Sequence, residues 1–321
     1  MNYDVVALGE LLIDFTSCGM SEQNNPIFEA NPGGAPGNVL SMLAKLGKKT
    51  AFIGKVGDDM FGRILIDTLA KSGIASDSVL IEKTSNTTLA FVHNAPDGDR
   101  EFSFFRKPGA DTLLHTDELS PELLGNCKIF HFGTLSLTHQ PAKGSTIKAV
   151  AIAKDAGSLI SFDPNLRPLL WDSLDEARRQ ISWGLSVCDI LKIADDELIF
   201  VTGAADLESG IGQLRDDYPQ IKLILLTKGK EGADGFWGEL RFSHPPFLKV
   251  NTIDTTGAGD TFLGSCLAHV LDFGIDSPTQ GSLEQMIVFA NAASSLVTTK
   301  KGALLSMPEK SEILALIEQG L

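Results

Sequence analysis

The chain has 321 residues, of which 43% are hydrophobic and 21% charged, and its 27 basic and 41 acidic side chains give a formal net charge of −14. This composition excludes a disordered chain, a collagen and a coiled coil, and is typical of a globular protein with a substantial core. The acidic balance argues against a nucleic-acid or membrane partner, and the N-terminus lacks the pattern of a secretory signal, so we expect a cytoplasmic protein.

Short β-branched runs alternate with helical patterns along most of the chain. The predicted strands are 5–10, 50–56, 129–133, 159–164, 190–194 and 223–229, and the clearest predicted helices are 39–47, 61–73 and 142–157. This order, with few hairpins, predicts an α/β protein with a mainly parallel sheet covered on both faces. No linker divides the sequence, so residues 1–321 are predicted to form one domain.

Two segments, about 10–31 and 86–107, interrupt the alternation. The first is long for a strand-to-helix connection, and the second contains two strand patterns around a turn at Asp97 and Gly98. Two interpretations are open: a small β-sheet that projects as a lid, or a pair of decorated surface loops.

The first Gly-rich segment, NPGGAPGN, occupies residues 31–38 and precedes a helix. It is either a turn with Asn38 as the helix N-cap or a floor of bare backbone for a polyol, with Asn38 as donor and acceptor. Asp14 follows the first strand, at the edge where open α/β sheets bind ligands, and would add a hydroxyl partner.

The most informative motif is DTTGAGDTF, residues 254–262, where an apolar stripe predicts a helix that begins near 257–260. Small residues there expose the N–H groups of the first helical turn, which predicts an anion site. Asp260 is either a charge favoured by the helix dipole or a general base beside that site, the pair that phosphoryl transfer to an alcohol needs. The sequence has neither a P-loop nor a GxGxxG motif, so any ATP site must use another geometry.

Six ordered motifs together resemble the ribokinase-like, or PfkB, carbohydrate kinases, and among these most resemble the fructokinases. The motifs are GELLIDF (9–15), NPGGAPGN, FIGKVGDDMFG (52–62), SFDPNLRP (161–168), LLTKGKEGA (225–233) and DTTGAGDTF; the fructokinase likeness lies mainly in FSFFRKPGAD (102–111) and FDPNLRPLLW (162–171). The resemblance implies a doubly wound sheet with a small β lid, and ATP-dependent phosphorylation of a sugar.

The resemblance also implies roles for the residues of this sequence that match the family's motifs. It implies Asp260 as the catalytic base and Gly257, Ala258 and Gly259 as the anion hole. The implied sugar-binding residues are Asp14, Gly33, Gly34, Asn38, Asn165 and Arg106, although Arg106 could equally be a solvated strand charge. Arg167 and Lys192 would face the phosphates, with surface salt bridges as the alternative. The implied nucleotide-binding residues are Thr227, Lys228, Gly229, Gly232 and Asn291, the last of which also suits plain core packing.

The resemblance also implies metal sites. Glu197 would orient Mg²⁺ through water, although Ala194 stands where relatives commonly carry Asn or Ser. Asp254, Thr256, Gly302 and Ser306 would form a site for K⁺ that shapes the anion hole.

The predicted activity is transfer of a phosphoryl group from ATP to the primary alcohol of D-fructose, which gives fructose 6-phosphate. The alternatives are a ribokinase, a 2-keto-3-deoxygluconate kinase and a non-catalytic sugar or nucleotide sensor. The expected partners are the sugar, ATP and a second copy of the chain that binds through the lid.

Overall fold

The computed structural model describes residues 3–94, 100–247 and 250–320, so the predicted turn at Asp97 and Gly98 lies outside the described residues. Thirteen strands in these ranges form two separate sheets. They are β1 (Tyr3–Leu8), β2 (Leu12–Met20), β3 (Pro26–Gly33), β4 (Thr50–Gly57), β5 (Ile74–Glu82), β6 (Thr88–Asn94), β7 (Arg100–Phe105), β8 (Cys127–Gly133), β9 (Leu159–Asp163), β10 (Ile190–Ala194), β11 (Leu223–Thr227), β12 (Ala233–Trp237) and β13 (Leu240–His244).

Ten α-helices in the described ranges connect and cover the strands. They are α1 (Ala35–Lys45), α2 (Met60–Lys71), α3 (Pro121–Leu124), α4 (Ala142–Asp155), α5 (Leu174–Val187), α6 (Asp195–Thr202), α7 (Leu207–Asp217), α8 (Ala258–Phe273), α9 (Gln280–Val297) and α10 (Lys310–Glu318). None of these helices combines the length and hydropathy that crossing a lipid bilayer requires.

The large sheet has nine strands in the order β13-β12-β11-β10-β9-β8-β1-β4-β5, and only β12 and β13 add antiparallel pairs. Its central strands are apolar on both sides; in β1, Val5 and Val6 pack into the core clusters on opposite faces. Continuous apolar strands are the pattern of a parallel sheet with helices on both faces. The predicted α/β class is confirmed.

The small sheet has four strands in the order β3-β2-β6-β7. Strands β2 and β6 pair in parallel, with Leu12 opposite Thr88, and β3 and β7 flank them as antiparallel edges. Both interrupting segments therefore form one sheet rather than independent surface loops. Its action as a lid stays a prediction.

Candidate active site

A cavity of about 320 Å³ opens at the carboxyl ends of the strands, between the large sheet and the small sheet. Its lining combines acidic, amide and basic side chains with a few apolar ones. The lining residues are Glu10, Leu12, Asp14, Gly34, Ala35, Asn38, Phe104, Leu135, Asn165–Arg167, Lys192, Ala194, Asp196, Glu197 and Thr255–Asp260. Ligand binding at this edge is the general rule for open α/β sheets.

The start of α8 forms one wall of this cavity. Gly257 precedes the helix with a φ of 77°, a left-handed conformation that favours glycine. The Ala258 N–H donates to the Thr255 carbonyl oxygen at 3.3 Å, whereas the N–H groups of Gly259 and Asp260 lie in the first turn and have no carbonyl acceptor within the helix. They provide the positive end of a 16-residue helix at the cavity.

The Asp260 side chain lies at the cavity and pairs with the first Gly-rich segment. Asn38 Nδ2 donates a 2.8 Å hydrogen bond to Asp260 Oδ2, which leaves Oδ1 to accept a proton from a ligand. Asn38 Oδ1 is buried and has no hydrogen-bond partner among the described residues. Helix α1 begins at Ala35 with Gly34 as its N-cap, so Asn38 is not the N-cap. The hydrogen bond therefore joins the first turn of α1 to the first turn of α8 at the cavity.

Two carboxyl groups of this cavity, those of Asp14 and Asp260, have raised pKa values. Burial, followed by the nearby Asp163 carboxylate, raises the pKa of Asp260 to about 6, although Asn38, Lys192 and Arg167 oppose the shift. Burial raises the pKa of Asp14 to about 7, against the opposing charge of Arg167. A carboxylate whose pKa lies near the working pH is well suited to accept a proton.

Glycines shape the floor of the cavity around Asp14 and Glu10. A Cβ at Gly33 would come within 2.8 Å of Asp14 Oδ2, and one at Gly34 within 2.3 Å of the Glu10 carbonyl oxygen. Glu10 Oε1 accepts a 2.9 Å hydrogen bond from the N–H of Ala35. Larger residues at 33 or 34 would displace these groups.

Two basic side chains reach the same cavity. Lys192 is buried, and its Nζ donates a 3.1 Å hydrogen bond to Asp163 Oδ1. A Cβ at Gly259 would lie 3.3 Å from that Nζ, so the ammonium group sits against the first turn of α8. Arg167 lines the cavity and donates to the Leu166 carbonyl oxygen at 3.2 Å. Lys192 pairs with the buried Asp163, and within the described part of the chain neither Lys192 nor Arg167 forms a surface salt bridge.

A second cavity, of about 570 Å³, adjoins the first at the start of α8. The two share the residues Ala194, Thr255, Ala258 and Gly259. Four of the residues predicted to bind a nucleotide line the second cavity, namely Thr227, Gly229, Gly232 and Asn291. Asn291 also donates a 2.8 Å hydrogen bond to the His244 carbonyl oxygen, which fixes its orientation.

The structure places two residues with predicted ligand contacts outside both cavity linings, and their ligand contacts stay predictions. Lys228 is not among the described residues that line either cavity, because its Nζ pairs with Asp234 Oδ1 at 2.7 Å. Arg106 is neither solvated nor in the cavity lining; it is 5% exposed and pairs with Asp111. In both cases a nearby carboxylate binds the cation that was assigned to a ligand.

Glu197 lies at the cavity, but backbone groups already hold its carboxylate. Oε1 accepts from the Leu166 N–H at 2.7 Å and Oε2 from the Ala194 N–H at 2.8 Å. Mg²⁺ retains several water ligands in most protein sites. A carboxylate fixed in this way fits contact with such a water better than direct coordination, even with Ala at 194.

Asp254 connects the two loops predicted to bind K⁺. Its Oδ1 accepts from the Thr256 N–H at 3.0 Å and the Thr256 hydroxyl at 2.7 Å, and its Oδ2 accepts from the Gly302 N–H at 3.2 Å. Ser306 Oγ donates a 2.6 Å hydrogen bond to the Lys301 carbonyl oxygen. The side chain of Asp254 thus braces the loops, which leaves backbone carbonyls as the donor set for a cation.

Several cavity residues were not assigned from the sequence. They are Glu10, Leu12, Phe104, Leu135, Asp196 and Thr255. Asp163, which does not line the cavity but pairs with Lys192 beside it, was not assigned either. Asp163 ends β9 inside the quoted motif SFDPNLRP, so the strand-end argument used for Asp14 could have found it. The apolar residues carry no such signal, because Leu and Phe are also the ordinary core residues.

Comparison with known proteins gives consistent matches over the whole chain. The pfkB family carbohydrate kinase model matches residues 2–310. Fructokinase-1 of Zea mays is 42% identical over 98% of both chains. The crystal structure of fructokinase with bound ATP from Xylella fastidiosa is 31% identical, with a TM-score of 0.88 over 100% of this chain and 99% of that one. The fructokinase double mutant from Vibrio cholerae, with fructose, ADP and potassium ion bound, is 29% identical, with a TM-score of 0.86 over 98% of each chain.

Proposed function

The chain belongs to the pfkB family of carbohydrate kinases, and from this premise we propose that it transfers the γ-phosphoryl group of ATP to the primary alcohol of D-fructose. The product is fructose 6-phosphate. Similarity to fructokinases over nearly the full length supports the choice of fructose.

One observation carries this proposal: two cavities meet at Ala258 and Gly259 in the start of α8, and Asp260, the next residue, lines the first of them. The first cavity, with its carboxylate and amide oxygens, suits the hydroxyl groups of a sugar. The second, which contains Asn291 and the turn after β11, suits a nucleotide. A phosphoryl group that passes from one cavity to the other must cross the first turn of α8.

Asp260 acts as the general base in this proposal. Its Oδ1 accepts the proton of the attacking hydroxyl, while Asn38 holds Oδ2 at 2.8 Å and fixes the direction of the carboxylate. Asp14 and Asn38 also line the first cavity and would orient the sugar by hydrogen bonds to its further hydroxyl groups. Positioning of this kind is the main requirement of phosphoryl transfer, since the reaction needs little covalent participation by the protein.

The start of α8 and two cations stabilise the charge on the transferred group. The N–H groups of Gly259 and Asp260 point away from the helix, and Lys192 Nζ lies against Gly259. Arg167 adds a second positive charge at the cavity. Glu197 would hold a water ligand of Mg²⁺, and the ion, when bound, would neutralise charge on the nucleotide phosphates.

The small sheet would act as a lid over the sugar. Asp14 on β2 and Phe104 on β7 extend from it into the first cavity. Closure around the sugar would exclude water, which otherwise competes for the phosphoryl group.

A panel of sugars in an ADP-release assay tests the proposed function. We expect fructose to give the highest kcat/KM, with fructose 6-phosphate as the product identified by NMR. A higher kcat/KM for ribose or for 2-keto-3-deoxygluconate than for fructose would instead identify the chain as a ribokinase or a 2-keto-3-deoxygluconate kinase. Sugar binding without ADP release would indicate a sensor.

The pH dependence of kcat/KM reports the ionisation of Asp260. Since burial raises the pKa of Asp260 to about 6, the base is protonated below that pH and activity falls. With MgATP saturating, we expect an acidic limb at about pH 6, preserved in Asp14→Asn. A limb near pH 4 would show that the base has an ordinary carboxyl pKa.

We expect the activity to depend on K⁺, because the hydrogen bonds that Asp254 accepts from Thr256 and Gly302 hold together the two loops of the predicted cation site. A cation held by carbonyl oxygens there would stiffen the loop that precedes α8. We expect tetramethylammonium in place of K⁺ to lower kcat about tenfold, equivalent to about 1.4 kcal/mol of transition-state stabilisation. Equal rates in the two salts would argue against the site.

A dimer through the small sheet is the proposed assembly. Phe28 and Phe105 are 37% and 64% exposed and both contact Phe91 on one face of that sheet. Burial of this face against a second copy would remove apolar surface from water. We expect Phe105→Ser to sediment as a monomer, whereas Phe273→Ser, at a residue 65% exposed on α8, stays dimeric. A monomeric wild type would refute the proposal.

A further inference from the structure

Arg106 and Asp111 form a buried ion pair behind the first cavity. Each side chain is only 2% exposed, and both Arg106 Nε and Nη2 donate to Asp111 Oδ2, at 2.8 and 2.6 Å. The other carboxylate oxygen, Oδ1, accepts a 2.5 Å hydrogen bond from the Thr88 hydroxyl. Two charges removed from water are costly unless such partners hold them.

The remaining donors of Arg106 extend to a third segment of the chain. Nη2 donates to the Leu135 carbonyl oxygen at 2.8 Å, and Nη1 donates to Thr138 Oγ1 at 2.9 Å. One guanidinium group therefore connects the end of β7, the Asp111 turn and the segment after β8. Lysine could not reproduce this planar set of contacts.

Three apolar residues of the first cavity lie on, or next to, the segments that contact the pair. Phe104 lies on β7, two positions before Arg106. The Leu135 carbonyl oxygen accepts from Arg106, and Leu12 on β2 pairs with Thr88, which donates to Asp111. These three form the apolar wall of the cavity. Because these three residues belong to different chain segments, the shape of the wall depends on the contacts that hold those segments together.

The packing around the pair leaves little freedom. A Cβ at Gly109 would lie 2.0 Å from Thr88 Oγ1, 2.7 Å from Asp111 Oδ1 and 2.9 Å from Arg106 Cγ. The pair is thus enclosed by backbone as well as by side chains. A change in the length or shape of the cation must shift at least one of the connected segments.

We propose that Arg106 and Asp111 are positioning residues that set the place of the apolar wall and, through it, the selectivity of the kinase among sugars. The inference rests on the proposed function, because it assigns the first cavity to the sugar. Neither residue is among the described residues that line the first cavity. Their effect on the reaction passes through Phe104, Leu135 and Leu12.

Arg106→Lys tests this role, since it keeps the charge and removes the planar fork. We expect KM for fructose to rise, and the ratio of kcat/KM for fructose to that for ribose to fall, each by about tenfold, within the range that pocket contacts give. KM for ATP should stay unchanged, because the second cavity does not contact the pair. Thr88→Val, which removes one hydrogen bond to Asp111, should change the same ratio less.

A destabilised variant with an intact pair is the matched control. Leu214→Ala removes a buried side chain on α7 that lines neither cavity, and it should lower the melting temperature without moving the sugar ratio. If Arg106→Lys fails to fold, the sugar ratio measured in Thr88→Val tests the proposal instead. An unchanged sugar ratio in the folded variant, or an equal change in Leu214→Ala, would overturn the proposal.

The wild-type assay separates this inference from the proposed function. If the wild type does not phosphorylate fructose, the proposed function fails. The positioning role is then measured as the ratio between the two sugars that the wild type uses best, and an unchanged ratio overturns it independently.

Discussion

Asp260→Asn is expected to lower kcat by about a thousandfold while ATP and fructose still bind, within the range that a lost general base typically costs. The change keeps the size of the side chain, and the Asn oxygen can still accept the hydrogen bond that Asn38 Nδ2 donates to Asp260. The amide cannot take the proton of the attacking hydroxyl. Binding and catalysis should therefore separate in this variant.

Single-turnover kinetics and calorimetric titration together measure this separation. Asp272→Asn is the matched control, because it makes the same change in the last turns of the same helix, where the side chain is 52% exposed and pairs with Lys48. We expect normal turnover in the control. Turnover of Asp260→Asn within a few-fold of the wild type would remove Asp260 from the mechanism.

Gly257→Ala is expected to lower kcat/KM for ATP by about a hundredfold or more, the cost of disturbing one donor that stabilises the developing charge. Gly257 has a φ of 77°, which L side chains disfavour, and its Cβ would lie 2.5 Å from the Ala303 Cβ. The new methyl group must shift the start of α8. The anion site and Asp260 would move with it.

Steady-state kinetics at saturating fructose, with a thermal melt to confirm folding, measures this effect. Gly212→Ala on α7 is the control, because its Cβ would meet no atom within 4 Å and its φ is not positive. The control should keep full activity. Normal kcat/KM in a folded Gly257→Ala variant would show that the position of this turn does not matter.

The fold was predictable wherever one physical pattern dominates a segment. Strand 190–194 agrees with β10 at both ends, and the helix expected near 257–260 begins at Ala258. The small sheet was less predictable, because its central contact joins Leu12 to Thr88, and local sequence does not show which distant strands pair. Only the three-dimensional register decided between a sheet and two loops.

In the candidate site too, features set by local sequence were predictable and long-range contacts were not. The glycine run reveals the position of Gly257, because the left-handed backbone there favours glycine. Asp14 lines the cavity as predicted, but it lies inside β2 of the small sheet and not at the end of β1, so the strand-end argument does not explain its place. The bond from Asn38 to Asp260 spans 222 positions and could not be read from either motif alone. Arg106 and Lys228 were assigned to ligands because a sequence shows the cation and not the carboxylate that will bind it.

The most direct test of the central claim is a crystal structure of Asp260→Asn with fructose and a non-hydrolysable ATP analogue. The account predicts fructose in the first cavity, with its primary hydroxyl within hydrogen-bond distance of the side chain at 260. The γ-phosphate should lie on the first-turn N–H groups of α8, in line with that hydroxyl. A γ-phosphate bound away from these N–H groups, or a sugar hydroxyl that faces another side chain, would contradict it.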